Sequence, residues 1–339
     1  MTIADDLPRT HDPVLRDDWH PVAFSPLVPA GGHLPVRLLD EQIVLWRQAD
    51  GSLHAWDDRC PHRGAALSLG RVVDDALTCP YHGWRFDGAG RCVLKPAQPG
   101  LPLPAASMTR AFAVQERYGI AWVCLGTPAR GVVPYEEFDD PRLRNIFAGP
   151  YDVSACAPRV VENFIDMAHF SFVHDGILGD AQSTEIPQYT VQGFTDAGGQ
   201  PGVRAEGMRV VQPQANLQAE GPSDVEYGYR ISRPLSAILT KRIVGSDVTE
   251  AITLFIQPMA EDLSRVWMVF SGVLSPEPDE AVRAFQDTVF AQDKPILESQ
   301  RPQRLPLAVR AEQAQRADLL SAHYRRYLRE QGLVWGVTA

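Results

Sequence analysis

The chain has 339 residues, 45% of them hydrophobic. That is enough for a large core and more than one core usually organises, so two domains are expected. A formal net charge of −10 argues against nucleic acid, whose phosphates need a basic face. No run of about 18 apolar residues occurs, so no transmembrane helix is expected. The acidic, polar opening MTIADDLPRTHDP lacks the regions of a signal peptide. A cytoplasmic protein with no membrane or nucleic-acid partner is expected.

Residues 1–18 read as a polar, mobile tail. From 36 to 125 the pattern is one of short strands and turns. Segments 42–47 and 53–56 alternate around Asp50-Gly51, a hairpin signal, and 118–125 is another aromatic, β-branched run. Segment 128–150 is proline-rich and charged, as a connection between domains would be. A helix is expected over about 155–175. Strands follow at 186–194, 203–211, 225–232, 248–258 and 264–274, with a turn at 196–202. The polar stretch 213–223 lacks periodicity and reads as a loop that could cover a site. Apolar residues at 282, 285, 289, 296 and 297 predict a helix over 276–301, and a last helix is expected over about 311–331. The fold class is therefore α+β. An all-β first domain (19–130) precedes a second (131–339) with an antiparallel sheet flanked by helices.

Five cysteines, Cys60, Cys79, Cys92, Cys124 and Cys156, are spread thinly over the chain. An odd, sparse set points to metal ligation or burial rather than to a disulfide framework. Two of them open related motifs: CPHRGAALSLG from Cys60 and CPYHGW from Cys79. Each loop offers one cysteine and one histidine, Cys60 with His62 and Cys79 with His82. A structural zinc site can also use two cysteines and two histidines, but zinc fingers usually pair like with like. One of each per loop suits two irons, with the thiolates on one and the imidazoles on the other. Replacing two thiolates by neutral imidazoles raises the potential of a [2Fe-2S] cluster, as in the Rieske centre. Cys92, Cys124 and Cys156 read as small buried residues. His11, His20, His33, His54 and His323 read as structural or exposed.

Further on, ENFIDMAHFSFVHDGILGD starts at Glu162. Asn163, Asp166 and His169 are spaced by three and would share a helical face. His174, five beyond His169, is off that face, so the helix must end or distort between them if both bind one metal. Phe170, Phe172 and Val173 would supply an apolar wall. Two histidines and a carboxylate form the facial triad of Fe(II) oxygenases, with open positions for O2 and substrate; two core histidines near a helix end are the plainer alternative. The carboxylate must come from elsewhere. In FQDTVFAQDKPILESQRP, Asp293 lies in the apolar stripe, where a carboxylate is costly unless paired or metal-bound. Asp287 and Glu298 follow the stripe less well. Pro295 favours a kink beside Asp293.

The two loops resemble the Rieske domain of ring-hydroxylating oxygenases, and the second constellation is similar to the catalytic domain of Rieske non-haem iron oxygenase alpha subunits. The similarity runs from about residue 19 to 328. QERYGIAWVCLG, HFSFVHDGILGD and FAQDKPILESQRP look closest to the branch with methylxanthine N-demethylases, dicamba O-demethylase and the hydroxylases of saxitoxin biosynthesis. The resemblance implies a helix-grip-like second domain, a Rieske [2Fe-2S] cluster on Cys60, His62, Cys79 and His82, and a mononuclear Fe(II) on His169, His174 and Asp293. It implies that Asp166 bridges His169 to a cluster histidine, His82, of a neighbouring subunit, and hence a homotrimer. It implies a separate reductase or ferredoxin delivering NAD(P)H electrons, because no dinucleotide fingerprint follows a strand here.

The expected activity is O2-dependent hydroxylation or N- or O-demethylation of a small organic molecule, with Asn163 and Phe164 beside the pocket. An aromatic cis-dihydroxylating dioxygenase is the alternative. A Rieske electron carrier without a working iron site is a third reading, opposed by the presence of His169, His174 and Asp293.

Overall fold

The computed structural model describes residues 12–103, 107–215, 219–272, 278–308 and 310–339. The chain divides into two units, Met1–Val132 and Val133–Ala339. Of the segment 1–18, expected to be a tail, residues 12–18 are described and ordered. Asp12 caps a one-turn helix, α1 (Pro13–Arg16), by accepting the Val14 and Leu15 N–H groups at 2.9 and 3.3 Å. His11 and the residues before it lie outside the described residues.

The first unit is built of strands β1 (His20–Phe24), β2 (His33–Leu38), β3 (Glu41–Arg47), β4 (Leu53–Asp57), β5 (Arg71–Val73), β6 (Ala76–Thr78), β7 (Arg85–Phe86), β8 (Cys92–Leu94), β9 (Ala111–Arg117) and β10 (Ile120–Cys124). They form a six-stranded sheet in the order β1-β10-β9-β4-β3-β2 and a four-stranded sheet in the order β5-β6-β7-β8. The β3–β4 hairpin turns at Asp50-Gly51 as the sequence predicts, with Gly51 at φ +93°. Three unassigned histidines here are structural. His20 Nε2 lies 2.7 Å from the Leu15 carbonyl, His33 Nε2 lies 2.9 Å from the Ser68 carbonyl, and His54 stacks on Trp46 with ring centres 4.5 Å apart.

The second unit holds a seven-stranded antiparallel sheet of β11 (Asn145–Val153), β12 (Thr190–Thr195), β13 (Pro201–Gln212), β14 (Ser223–Arg233), β15 (Ser236–Ile243), β16 (Glu250–Ala260) and β17 (Leu263–Ser271), in the order β11-β17-β16-β15-β14-β13-β12. Two strands of this sheet were not expected. β11 falls in the segment read as a connection; it is an edge strand, where Pro150 is tolerated, and its register shifts between Ala148 and Tyr151. β15 lies inside the sheet, and its buried SAIL start followed by charged residues hides the two-residue period. The expected loop 213–223 is the β13–β14 connection, and its residues 216–218 lie outside the described ones.

Four α-helices lie among the described residues of this unit, α2 (Ala157–Ile165), α3 (Phe170–Val173), α4 (Asp279–Ser299) and α5 (Leu319–Gln331), beside a short parallel pair of strands, Leu305–Pro306 and Val337–Thr338. The helix expected over 155–175 is therefore broken. Asp166 is extended, at φ −88° and ψ 130°, and ends α2. Asn163, Asp166 and His169 do not share a continuous helical face. The last helix begins at Leu319 rather than near 311, after a tight turn at Arg316–Asp318. Glu162 of α2 accepts from the Arg325 guanidinium of α5 at 2.5 and 2.7 Å, and Glu312 accepts from both Arg159 and Arg325. This network fixes the helix that carries Asn163. Among the described residues no helix is long and apolar enough to cross a membrane.

Candidate metal centres and the cavity beside them

Residues 60–65 follow β4 and residues 79–84 connect β6 to β7, and the two loops close identically. The Cys60 N–H donates to the Ala65 carbonyl at 2.8 Å and the Gly64 N–H to the Cys60 carbonyl at 2.9 Å. The Cys79 N–H donates to the Trp84 carbonyl at 2.8 Å and the Gly83 N–H to the Cys79 carbonyl at 3.1 Å. Gly64 and Gly83 stand at φ +73° and +68°, which a residue with a side chain rarely adopts. Both thiols are buried, packed with Trp46, Trp56, Leu77 and Phe86.

The imidazoles lie on the outer side of these loops. His62 is half-buried and His82 exposed, with ring centres 4.6 Å apart. His62 stacks flat on Trp84 at 4.3 Å, and Lys95 Nζ lies 4.3 Å from the Trp84 ring centre. Burial, reinforced by the neighbouring Cys79, pushes the Cys60 thiol up to about 12. An apolar pocket with two adjoining thiols suits a metal that displaces their protons. Desolvation and the nearby His82 lower the pKa of His62, favouring the neutral imidazole that ligates. Two buried sulfurs beneath two outward imidazoles fit the donor set of a Rieske cluster.

In the second unit, His169 precedes α3 and His174 follows it, so one helical turn separates the rings, whose centres are 5.1 Å apart. Asp166 leaves α2 and folds back: Oδ1 accepts the Ala168 N–H at 2.8 Å, and Oδ2 lies 3.1 Å from His169 Nδ1. It thus meets His169 through a turn, not along a helix. Gly179 seals the far side. A Cβ there would come within 2.5 Å of the Phe170 and Ser171 backbone.

Asp293, on the buried face of α4, comes to these rings. Its Oδ1 lies 3.4 Å from His169 Nε2 and 3.2 Å from His174 Nε2, and accepts from Asn163 Nδ2 at 3.3 Å. Donor atoms of the three residues lie within 4.8 Å of one another, close enough to hold one metal ion. The outer nitrogens of both rings are already occupied, Nδ1 of His169 by Asp166 and Nδ1 of His174 by Gln292 Oε1 at 2.8 Å. That leaves both Nε2 atoms turned inward, an arrangement usual for metal-bound histidines.

Burial opposes charge on both sides of this contact and is outweighed. Hydrogen bonds donated to Asp166 and Asp293 hold His169 up at about 9, and those accepted from His169 and His174 hold Asp293 down at about 2. A site that binds a proton this firmly offers the same electrons to a cation. Two imidazoles and one carboxylate fit the donor set of a mononuclear Fe(II).

These residues line a cavity of about 340 Å³, within the range of sites for small organic ligands. Asn163, Phe164 and Phe170 line it from the helical side, as do Phe285 and Phe290 from α4. Phe172, expected in the apolar wall, is exposed instead, because it lies two positions, about 200° of helix, from the buried Phe170. Tyr227 and Tyr229 of β14 form part of the opposite wall. Sequence reasoning missed Gln292, an amide on a helix with no motif around it, and the sheet residues Tyr227, Tyr229, Lys241 and Glu250. Asp287 and Glu298 serve elsewhere, accepting from the Tyr151 hydroxyl at 2.6 Å and the Ser154 N–H at 2.9 Å.

The profile of the Rieske [2Fe-2S] domain matches residues 18–106, and that of the vanillate O-demethylase oxygenase C-terminal domain matches residues 153–332. The chain is 35% identical over 324 residues to methylxanthine N1-demethylase NdmA of Pseudomonas putida, covering 93% of this chain and 89% of that protein. The structure of P. putida NdmA with caffeine superposes with a TM-score of 0.79 at 33% identity, covering 94% and 91% of the two chains. A dicamba monooxygenase structure with 3,6-dichlorosalicylic acid gives 0.77 at 25% identity, covering 94% and 97%.

Proposed function

Since the chain belongs to the Rieske non-haem iron oxygenases, we propose that it hydroxylates or demethylates a small, flat organic molecule held in the cavity between Asn163, Tyr229 and Phe290. The observation that carries this reading is the convergence of His169 Nε2, His174 Nε2 and Asp293 Oδ1 at the edge of that cavity. In this reading Cys60 and Cys79 hold one iron of the cluster and His62 and His82 the other, while His169, His174 and Asp293 hold the mononuclear iron. When bound, the cluster supplies single electrons and the mononuclear iron supplies O2 activation.

The chain's own residues do the positioning. Asp166 and Gln292 fix the two imidazoles from behind. Asn163 holds the carboxylate from the side, and the aromatic walls keep water from the reacting carbon. One atom of O2 enters a C–H bond; the other leaves as water with two electrons from NAD(P)H and two protons. At an N- or O-methyl group the alcohol so formed collapses to formaldehyde and the free N–H or O–H. The demethylases among the relatives favour that outcome here.

The electrons come from a separate reductase or ferredoxin. The exposed His82, with Tyr81 tilted over it at 3.9 Å, is where such a protein can approach. The Asp166 side chain is 30% exposed, which leaves it free to accept from His82 of a neighbouring copy in a homotrimer. All five cysteines are buried and none is in a disulfide, which suits the reducing cytoplasm.

The test is a reductase-fed assay of the iron-loaded protein with NADH, O2 and a panel of methylated aromatic and heteroaromatic compounds. Formaldehyde or a hydroxylated product is expected with at least one. A cis-diol would move the chain to the dihydroxylating branch. No substrate-dependent O2 uptake from fully loaded protein would defeat the reading.

A further inference from the structure

One strip of the cavity wall is charged. Lys241 of β15 and Glu250 of β16 are directly opposed, and Tyr227 of β14 opposes Lys241 on its other side. All three line the cavity. Two residues along, the same face carries Tyr229, Leu239, Ile252 and Phe270 in successive strands. The sheet therefore presents an apolar row, broad enough for a ring, beside a polar row.

Lys241 is only 8% exposed, and its ammonium donates to the Ala215 carbonyl just beyond β13. Two of its three protons remain for other partners. Among the described residues no hydrogen-bond donor meets the Glu250 carboxylate. Burial lowers the pKa of Lys241 against the pull of Glu250, and burial raises that of Glu250 against the pull of Lys241. Nothing in the handling of O2 or iron uses either group, and a buried ammonium beside a half-buried carboxylate, with no hydrogen bond between them, is costly to keep.

We propose that Lys241 and Glu250 read the edge of a planar heteroaromatic substrate that carries a carbonyl beside a ring N–H, a lactam edge. Lys241 donates to the carbonyl and Glu250 accepts the N–H. The ring then lies along the apolar row, and the edge fixes which of its substituents faces His169, His174 and Asp293. A hydrocarbon would leave both charged groups unpaired, and a carboxylate would satisfy Lys241 but meet Glu250 with like charge. Only adjoining acceptor and donor serve both, and sites built to bond such groups discriminate strongly against analogues that lack them.

The inference rests on the oxygenase reading only for what happens to the ligand once it is bound. It is tested by calorimetry on the iron-loaded protein without reductant, so that no turnover occurs. The probes are quinolin-2(1H)-one, its blocked analogue 2-methoxyquinoline, and quinoline-2-carboxylate. The lactam is expected to bind at least about 10-fold more tightly than either of the others. Glu250→Gln and Lys241→Met, checked for cluster absorbance and iron content, should each bring that preference to within about threefold, chiefly by weakening the lactam.

Tightest binding of the carboxylate by the unaltered protein would overturn the proposal, as would variants that weaken all three ligands equally. The first comparison needs no variant, so it decides even if Lys241→Met fails to fold. Feeding the same ligands to the reductase assay separates the two readings. Preference with no oxidation of any compound in the wider panel sinks the oxygenase reading alone, and oxidation without preference sinks this one alone.

Discussion

Gln292 and His174 are joined through Oε1 and Nδ1 at 2.8 Å, so the imidazole is tied to the same turn of α4 that brings Asp293 to within 3.2 Å of its Nε2. One helix turn thus sets both the orientation of the ring and the position of the carboxylate facing it. Gln292→Leu keeps the helix and much of the volume but removes the acceptor. Iron affinity is expected to fall about 10-fold or more, read by competition with a chelator. Unchanged retention of iron would show that packing alone orients His174.

Asp166→Asn separates positioning from ligation. One oxygen of Asp166 is committed to the Ala168 N–H and the other faces His169 Nδ1. An amide must therefore abandon that turn or aim its NH2 at the ring. Turnover should drop about 10- to 100-fold while iron content and cluster absorbance stay those of the unaltered protein. Normal turnover would remove the bridge from Asp166 to a neighbouring copy.

Asp293→Ala deletes the proposed carboxylate ligand at a buried site. Iron is expected to fall from about three to about two per chain, with the visible spectrum of the cluster unchanged. Cys79→Ala should do the opposite, abolishing the visible spectrum. Loss of both centres in either variant would mean that the two sites are not independent.

A pH effect on the first unit follows from His20. It is buried, and desolvation holds its pKa below 6.5 although Asp18 pulls the other way. The unfolded chain takes up the proton more readily than the folded one. The stability contributed by neutral His20 is therefore full above about pH 6.5 and is lost as pH falls through the lower folded value. The melting temperature should fall from about pH 7.5 to about pH 5.5, and His20→Gln should lessen that fall. An identical acid profile in the variant would assign the effect to the carboxylates.

How far the chain could be read beforehand depended on how local each arrangement is. The Cys60–His62 and Cys79–His82 loops are legible because everything that shapes them, down to the glycines at 64 and 83, lies within six residues. Asp293 is legible because a carboxylate in an apolar stripe needs a partner. The pairing of Asp166 with His169 could be anticipated, but for the wrong reason: the backbone leaves the helix at Asp166, and the two meet across a turn. Gln292 and Lys241 are illegible. An amide on a helix and a lysine in a strand look solvent-facing until the opposing element is known. β11 and β15 were hidden likewise, the first by Pro150 at a sheet edge and the second by burial along its length.

The close approach of Gly179 to the backbone of Phe170 and Ser171 makes an unremarkable position one that tolerates no enlargement. A single added methyl would have to push apart the turn holding His169 and His174, although residue 179 supplies no ligand atom. Random mutagenesis should recover inactive, iron-poor clones altered there, and they would look like ligand knockouts to anyone reading the phenotype alone.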